Sequence, residues 1–197
     1  MSKKSPISTN LLMLLIAGLF GGLLILISYK LYDMGYLGRG TALPVEGQAP
    51  TFSLTERSGK TLNSSDLKGK VWVADFIFTR CAGQCPMMSL KMKELSKAFP
   101  GAVFVSFTSD PEYDTAEVLS TYASWYEADT NRWFFVTGKK EALNQVAVGL
   151  KLSQMDSPDM HSNYFVLMDV KSRVRGYYDA NDAEAMEKLK TSLRKLL

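Results

Sequence analysis

Hydrophobic and polar positions follow two different patterns along this chain. Residues 11–27 read LLMLLIAGLFGGLLILI, an unbroken apolar and glycine run without a charge, which Ser28 and Tyr29 extend. At about 1.5 Å per residue such a helix approaches the ~30 Å hydrocarbon core of a bilayer. The pattern therefore predicts a transmembrane helix over 11–29. A cleaved signal peptide would have a shorter apolar region ending in small residues, whereas Tyr29, Lys30, Leu31 and Tyr32 follow here. Beyond it, 33–50 carry glycines and prolines without periodicity and read as a tether.

From residue 51 the apolar positions become short and regular. Strands are predicted at 51–54 and 60–62, joined by a turn at Arg57, Ser58 and Gly59. Residues 71–78 (VWVADFIF) form an almost continuous apolar run with one acid, as expected of a strand buried on both faces. Pro86 suits the first turn of a helix, in which Met88, Met92, Leu95 and Phe99 recur at helical spacing and Pro100-Gly101 ends the pattern. Strands at 102–107 and 133–136 alternate with helices at 115–126 and 139–150. Two antiparallel strands, 164–168 and 174–178, and a helix at 183–196 complete the chain. This order indicates an α/β fold with one central mixed sheet flanked by helices. The expected organisation is a cytoplasmic segment 1–10, an anchor 11–29, a linker 30–50 and one domain 51–197.

Charge removes one class of function. Of 23 basic and 20 acidic residues, four basic and one acidic precede residue 40, leaving 19 of each in the rest of the chain. The domain lacks the basic footprint that nucleic acids require. Lys3 and Lys4 before the apolar run place the N-terminus in the cytoplasm by the positive-inside rule and the domain outside it. The expected location is a bacterial inner membrane, crossed once, with the C-terminal domain facing the periplasm or cell exterior.

The chemistry concentrates in three residues. Cys81 and Cys85 are the chain's two cysteines and lie in the turn leaving the buried strand, immediately before a helix. A helix N-terminus favours thiolate and should lower the pKa of Cys85 in particular. Sulfurs four residues apart can close a disulfide or grip one metal ion. A purely structural disulfide over so short a loop would restrict the unfolded chain little. The single histidine, His161, lies on a loop before a predicted strand and completes a set of two thiolates and one imidazole. Soft sulfur selects Cu(I) or Zn(II), and a closed structural zinc site would want a fourth ligand, so copper is preferred. Met160 could assist, whereas Met88 and Met92 fit the core. Asp75, inside the apolar strand, reads equally as a locally satisfied acid or as a proton acceptor beneath the thiols. Asp110 and Asp114 are explained by capping at a helix start.

Three segments together resemble the Sco/SenC family of copper chaperones for cytochrome c oxidase assembly. They are 76–86, containing Cys81-Ala-Gly-Gln-Cys85-Pro86; 109–115, Ser-Asp-Pro-Glu-Tyr-Asp-Thr; and 160–169, beginning Met160-His161. The resemblance covers about 46–197 and implies a thioredoxin-like fold with copper, Cu(I) or Cu(II), held by Cys81, Cys85 and His161. It further implies delivery to the copper-containing subunit of cytochrome c oxidase, with another copper chaperone or a thiol-disulfide reductase as further partners. Strand 73–76 is also similar to the buried-acid strand of thioredoxins. Family members often carry Pro after the first cysteine and an acid in the intervening triplet; Ala82-Gly83-Gln84 departs from this, and Ala116 follows Asp114-Thr115 where Pro is usual. The rival expectation is a thiol-disulfide oxidoreductase using Cys81 and Cys85 as a redox dithiol. A peroxide-detoxifying or redox-sensing thiol protein is a third.

Overall fold

A computed structural model describes residues 9–33, 43–152 and 162–197, and the chain divides into two units, 1–42 and 43–197. In the first unit Thr9–Asp33 is one helix (α1). Its described side chains are those of residues 13, 14 and 16–30, and among the described residues no helix is long and apolar enough to cross a membrane.

The second unit is built on the strand that the apolar run predicted. Trp72–Ile77 (β4) is buried at every position. It runs parallel to Val103–Thr108 (β5) and antiparallel to Tyr164–Met168 (β7). Around this centre the described residues form an eight-stranded sheet in the order β1-β8-β7-β4-β5-β6-β2-β3. The remaining strands are Gly47–Gln48 (β1), Ser53–Glu56 (β2), Thr61–Asn63 (β3), Trp133–Thr137 (β6) and Arg173–Asp179 (β8).

Alternation along β4 sends Val73 and Ile77 to one face and Trp72, Ala74 and Phe76 to the other. The first face is covered by Gln84–Ala98 (α2), Ala116–Trp125 (α3) and Ala183–Leu196 (α5), through Met88, Met92, Leu95, Leu119, Tyr122, Leu189 and Leu193. The second is covered by Lys140–Gly149 (α4) with Leu143 and Val146, and by Leu54, Leu62 and Leu67 near the hairpin. Each fully buried Leu, Met or Phe contributes about 1.5–3 kcal/mol relative to exposure. Truncating Met92, which is inaccessible to solvent, should therefore cost about 2–5 kcal/mol.

Local chemistry fixes the boundaries. Thr115 caps α3, its hydroxyl accepting the Val118 N–H at 3.3 Å, and Asp182 caps α5 by accepting the Glu184 N–H at 2.8 Å. Gly59 turns the β2–β3 hairpin at φ 81°, where a side chain would be strained. The folded unit begins at Leu43, before the 51 expected from sequence. Gly47 and Gln48 pair with Val174 and Arg173, and the buried Arg175 donates to the carbonyls of Leu43 and Pro44. Residues 43–50, read from composition as linker, are thereby strapped to the sheet edge.

Candidate metal centre

The parallel strands β4 and β5 end side by side, and the connection leaving the C-terminal end of β4 carries Cys81 and Cys85, at the end of such sheets where function usually lies. After β4 the chain makes a turn in which the Cys81 N–H donates to the Phe78 carbonyl at 3.2 Å, and α2 then starts at Gln84 with Gly83 preceding it. The helix thus begins two residues before Pro86. Pro86 still falls in the first turn, where its missing N–H removes no helical bond.

Both cysteines are in the dithiol form and largely buried, Cys81 at 8% exposure and Cys85 at 2%. Their acidity is the reverse of the sequence expectation. Cys85 lies inside the first turn with its sulfur turned into the core, and burial pushes its thiol up to about 12, helped by the neighbouring Cys81 sulfur and Asp75. Burial also raises Cys81, but hydrogen bonds from the Cys85 and Gly83 N–H groups, the Cys85 thiol and the Gln84 N–H outweigh it and hold Cys81 below the ordinary thiol range. The Cys85 N–H lies 3.4 Å from the Cys81 sulfur. The open N–H groups of a helix start act on what stands in front of them, and that is Cys81.

The turn is cross-braced to the loop after β5. Asp114, inaccessible to solvent, accepts the Thr79 hydroxyl at 2.5 Å, the Thr79 N–H at 3.2 Å and the Thr108 hydroxyl at 2.5 Å. Arg80 pairs with Asp110 at 2.5 Å and stacks on the Tyr113 ring at 4.3 Å. Capping does not account for these acids, since the cap of α3 is Thr115. Asp114 instead joins two loops more than thirty residues apart in sequence, a role no local signal announces.

Asp75 lies on the face of β4 that carries the thiols. It is inaccessible to solvent and neither carboxyl oxygen has a partner of normal hydrogen-bond geometry. Burial raises its carboxyl to about 7, opposed weakly by the Ser106 hydroxyl across the strand pair and by its own backbone N–H. The reading of a locally satisfied acid therefore does not hold.

Antiparallel pairing of β7 with β4, Ala74 opposite Val166, brings the start of β7 to the sheet end from which the cysteine turn departs. Ser162 and Asn163 lead into that strand. His161, Met155 and Met160 lie outside the described residues, and among the described residues no three His, Cys, Asp or Glu side chains converge on a metal-sized point. Met88 and Met92 are core residues, as expected, and Met87 is 53% exposed.

Comparison with known proteins gives a consistent result. A sequence model of the SCO1/SenC family matches residues 43–197. The chain is 30% identical over 146 residues to the SCO1 protein homolog of Bacillus subtilis, covering 69% of this chain and 76% of that protein. A crystal structure of a SCO1/SenC family lipoprotein from Bacillus anthracis is 31% identical and superposes with TM-score 0.69, covering 78% of this chain and 96% of that one. BsSco, a member of the Sco family of cytochrome c oxidase assembly proteins with a disulfide switch, is 24% identical with TM-score 0.68 over 77% and 95% of the two chains. Copper-bound ScoI of Bradyrhizobium japonicum is 21% identical with TM-score 0.62 over 76% and 99%, a likeness of fold. A match over the whole folded unit, together with a relative at this identity and coverage, establishes that the chain belongs to the SCO1/SenC family.

Proposed function

We propose that this protein is a membrane-anchored copper chaperone that holds copper through Cys81, Cys85 and His161 and delivers it to the copper-containing subunit of cytochrome c oxidase. Copper is cargo in this reading. The observation that carries it is the asymmetric thiol pair at the sheet end, braced by Asp114 and adjoined by the strand that His161 precedes. Cys81, the more acidic of the two thiols, offers the first soft ligand. Cys85 loses its proton as the ion binds, and a neutral imidazole suits either oxidation state. Hand-over is ligand exchange with a partner's sulfur or nitrogen ligands and requires no substrate turnover. Family membership and the copper-bound relative support the same reading. The helix over 11–29 serves as the anchor.

The same asymmetry favours a second reading. A thiol of lowered pKa backed by a buried partner thiol is what disulfide exchange requires of an attacking and a resolving cysteine. Cysteine variants abolish both functions, but His161 separates them. His161→Ala should leave cells deficient in oxidase copper loading, partly rescued by added copper, while the purified variant still cycles between dithiol and disulfide. Normal loading in His161→Ala cells, with a double cysteine variant rescued by a small thiol reductant and not by copper, would replace the chaperone with the oxidoreductase.

A further inference from the structure

Basic and acidic side chains balance over the chain beyond residue 40, 19 against 19, but the fold does not mix them evenly. β4 carries the chain about 20 Å from Trp72 to the cysteine turn. At its starting end three connections meet. The Gly69 N–H donates to the Val170 carbonyl at 2.8 Å, so the turn carrying Lys68 and Lys70 lies against the one carrying Lys171. α5 ends there as well. Leu197 Cδ2 stands 3.2 Å from the position that a Cβ on Gly101 would take, and Gly101 leads into β5, whose Val103 pairs with Trp72. The last turn of that helix brings Arg194 and Lys195.

Lys68, Lys70, Lys171, Arg194 and Lys195 are all exposed, and among the described residues none of the five is in an ion pair. The acids at this end already have partners: Asp169 holds Arg173 and Arg175, Asp129 holds Arg132, Glu127 holds Lys93 and Lys97, and Asp66 accepts the Asn63 N–H at 2.8 Å. The terminal carboxylate offsets one of the five cations. The thiol end has the opposite sign, with Glu112 in the loop after β5, and Asp179 and Asp182 in the connection that Asn181 joins to Gln84 at 3.0 Å. The dipole of α5 accounts for bases in its last turn, but Lys70 and Lys171 lie in strand connections, where it has no bearing. Solubility alone would be served as well by cations spread over the surface. Among these cations stand two exposed apolar side chains, Val170 and Leu197, the mixture that suits a headgroup layer.

We infer that this end of the domain rests on an anionic phospholipid surface, the five cations meeting the phosphates and Val170 and Leu197 reaching between the headgroups, so that the thiol end points away from the bilayer. The inference goes beyond the copper reading and rests on the anchored one. Each basic side chain within a Debye length of an anionic leaflet adds about fivefold to binding. The ten steps of chain from Asp33 to Leu43 reach at most about 35 Å, enough to let this end settle on the surface.

The test reconstitutes the full-length protein into vesicles of phosphatidylcholine alone or mixed with phosphatidylglycerol, applies a membrane-impermeant acylating reagent, and reads labelling lysine by lysine by mass spectrometry. Lys68, Lys70, Lys171 and Lys195 should label several-fold more slowly on the mixed vesicles at low salt and recover at high salt. Lys139 and Lys140, at the opposite end where α4 starts, should label alike on both. In the triple variant Lys68→Glu, Lys70→Glu, Lys171→Glu, the slowing of Lys195 should disappear. Equal labelling of the wild type on the two vesicle types overturns the inference, as does slowing of Lys139 and Lys140 by the same factor. Slowing that is equal on neutral vesicles and grows with protein concentration assigns the face to a second copy of this chain and overturns it too. Washing with alkaline carbonate tests the anchor separately: a chain stripped from both vesicle types fails the anchored reading, and its labelling with and without added mixed vesicles still decides the docking.

Discussion

Cys81 precedes α2 and Cys85 lies within its first turn, and this difference of one helical turn gives two thiols opposite character. The N–H groups in front of the helix converge on the Cys81 sulfur, while the Cys85 sulfur is enclosed by the core. Iodoacetamide at neutral pH should therefore modify Cys81 well before Cys85, as peptide mass spectrometry of partly alkylated protein would show; equal or inverted labelling contradicts the assignment. Asp75 gives a second residue-scale prediction. Its ordinary value is 3.8, and the fold raises it to about 7. Because folding favours the protonated form, its stabilising contribution is complete below 3.8 and is lost progressively as pH rises from there through about 7. Asp75→Asn, neutral at all pH, should raise the melting temperature relative to wild type most at pH 8, less at pH 5, and little below the unfolded value of 3.8. No gain at pH 8 counts against a buried unpartnered carboxylate.

At the scale of elements, Asp114 makes the cysteine turn and the loop after β5 one body. Asp114→Ala leaves the Thr79 and Thr108 hydroxyls and the Thr79 N–H without their acceptor, which should cost about 2–4 kcal/mol in urea unfolding and weaken copper retention. Copper retention equal to wild type would show that the brace does not hold the site. Elements whose formation depends on local pattern were legible in the sequence. The apolar run 71–78 became β4, helical spacing placed Met88 and Met92 in the core, and α5 spans the predicted 183–196. What local pattern cannot express was missed. β1 has two residues, too few for periodicity, and exists through pairing with β8. The acidity of Cys85 is not legible in the sequence, because proximity to a helix start is visible there and burial of a particular sulfur is not. Asp114 resembled a cap because its partners Thr79 and Thr108 come from other parts of the fold.

For the molecule as a whole, two features bear on how the domain is presented. Arg175 is buried, pairs with Asp169 at 2.8 Å and donates to the Pro44 carbonyl at 2.9 Å and to that of Leu43, so the fold starts at a fixed point. Arg175→Ala should release the strap, and limited proteolysis should cut within 43–50 several-fold faster than in wild type; an unchanged rate would mean that β1 pairing alone holds it. The anchor reading predicts that a reporter fluorescing only in the cytoplasm, fused after Leu197, stays dark. A bright fusion would reverse the orientation and remove the compartment in which copper is to be delivered. The measurement that tests the central claim most directly is copper titration of the reduced full-length protein and its variants against competing chelators, in both oxidation states. The account predicts one copper per wild-type chain, loss of both oxidation states in Cys81→Ser and Cys85→Ser, and in His161→Ala retained Cu(I) with strongly weakened Cu(II), which prefers nitrogen ligands. Failure of the wild type to hold copper against the chelators, or a His161→Ala variant unchanged for both ions, would contradict it.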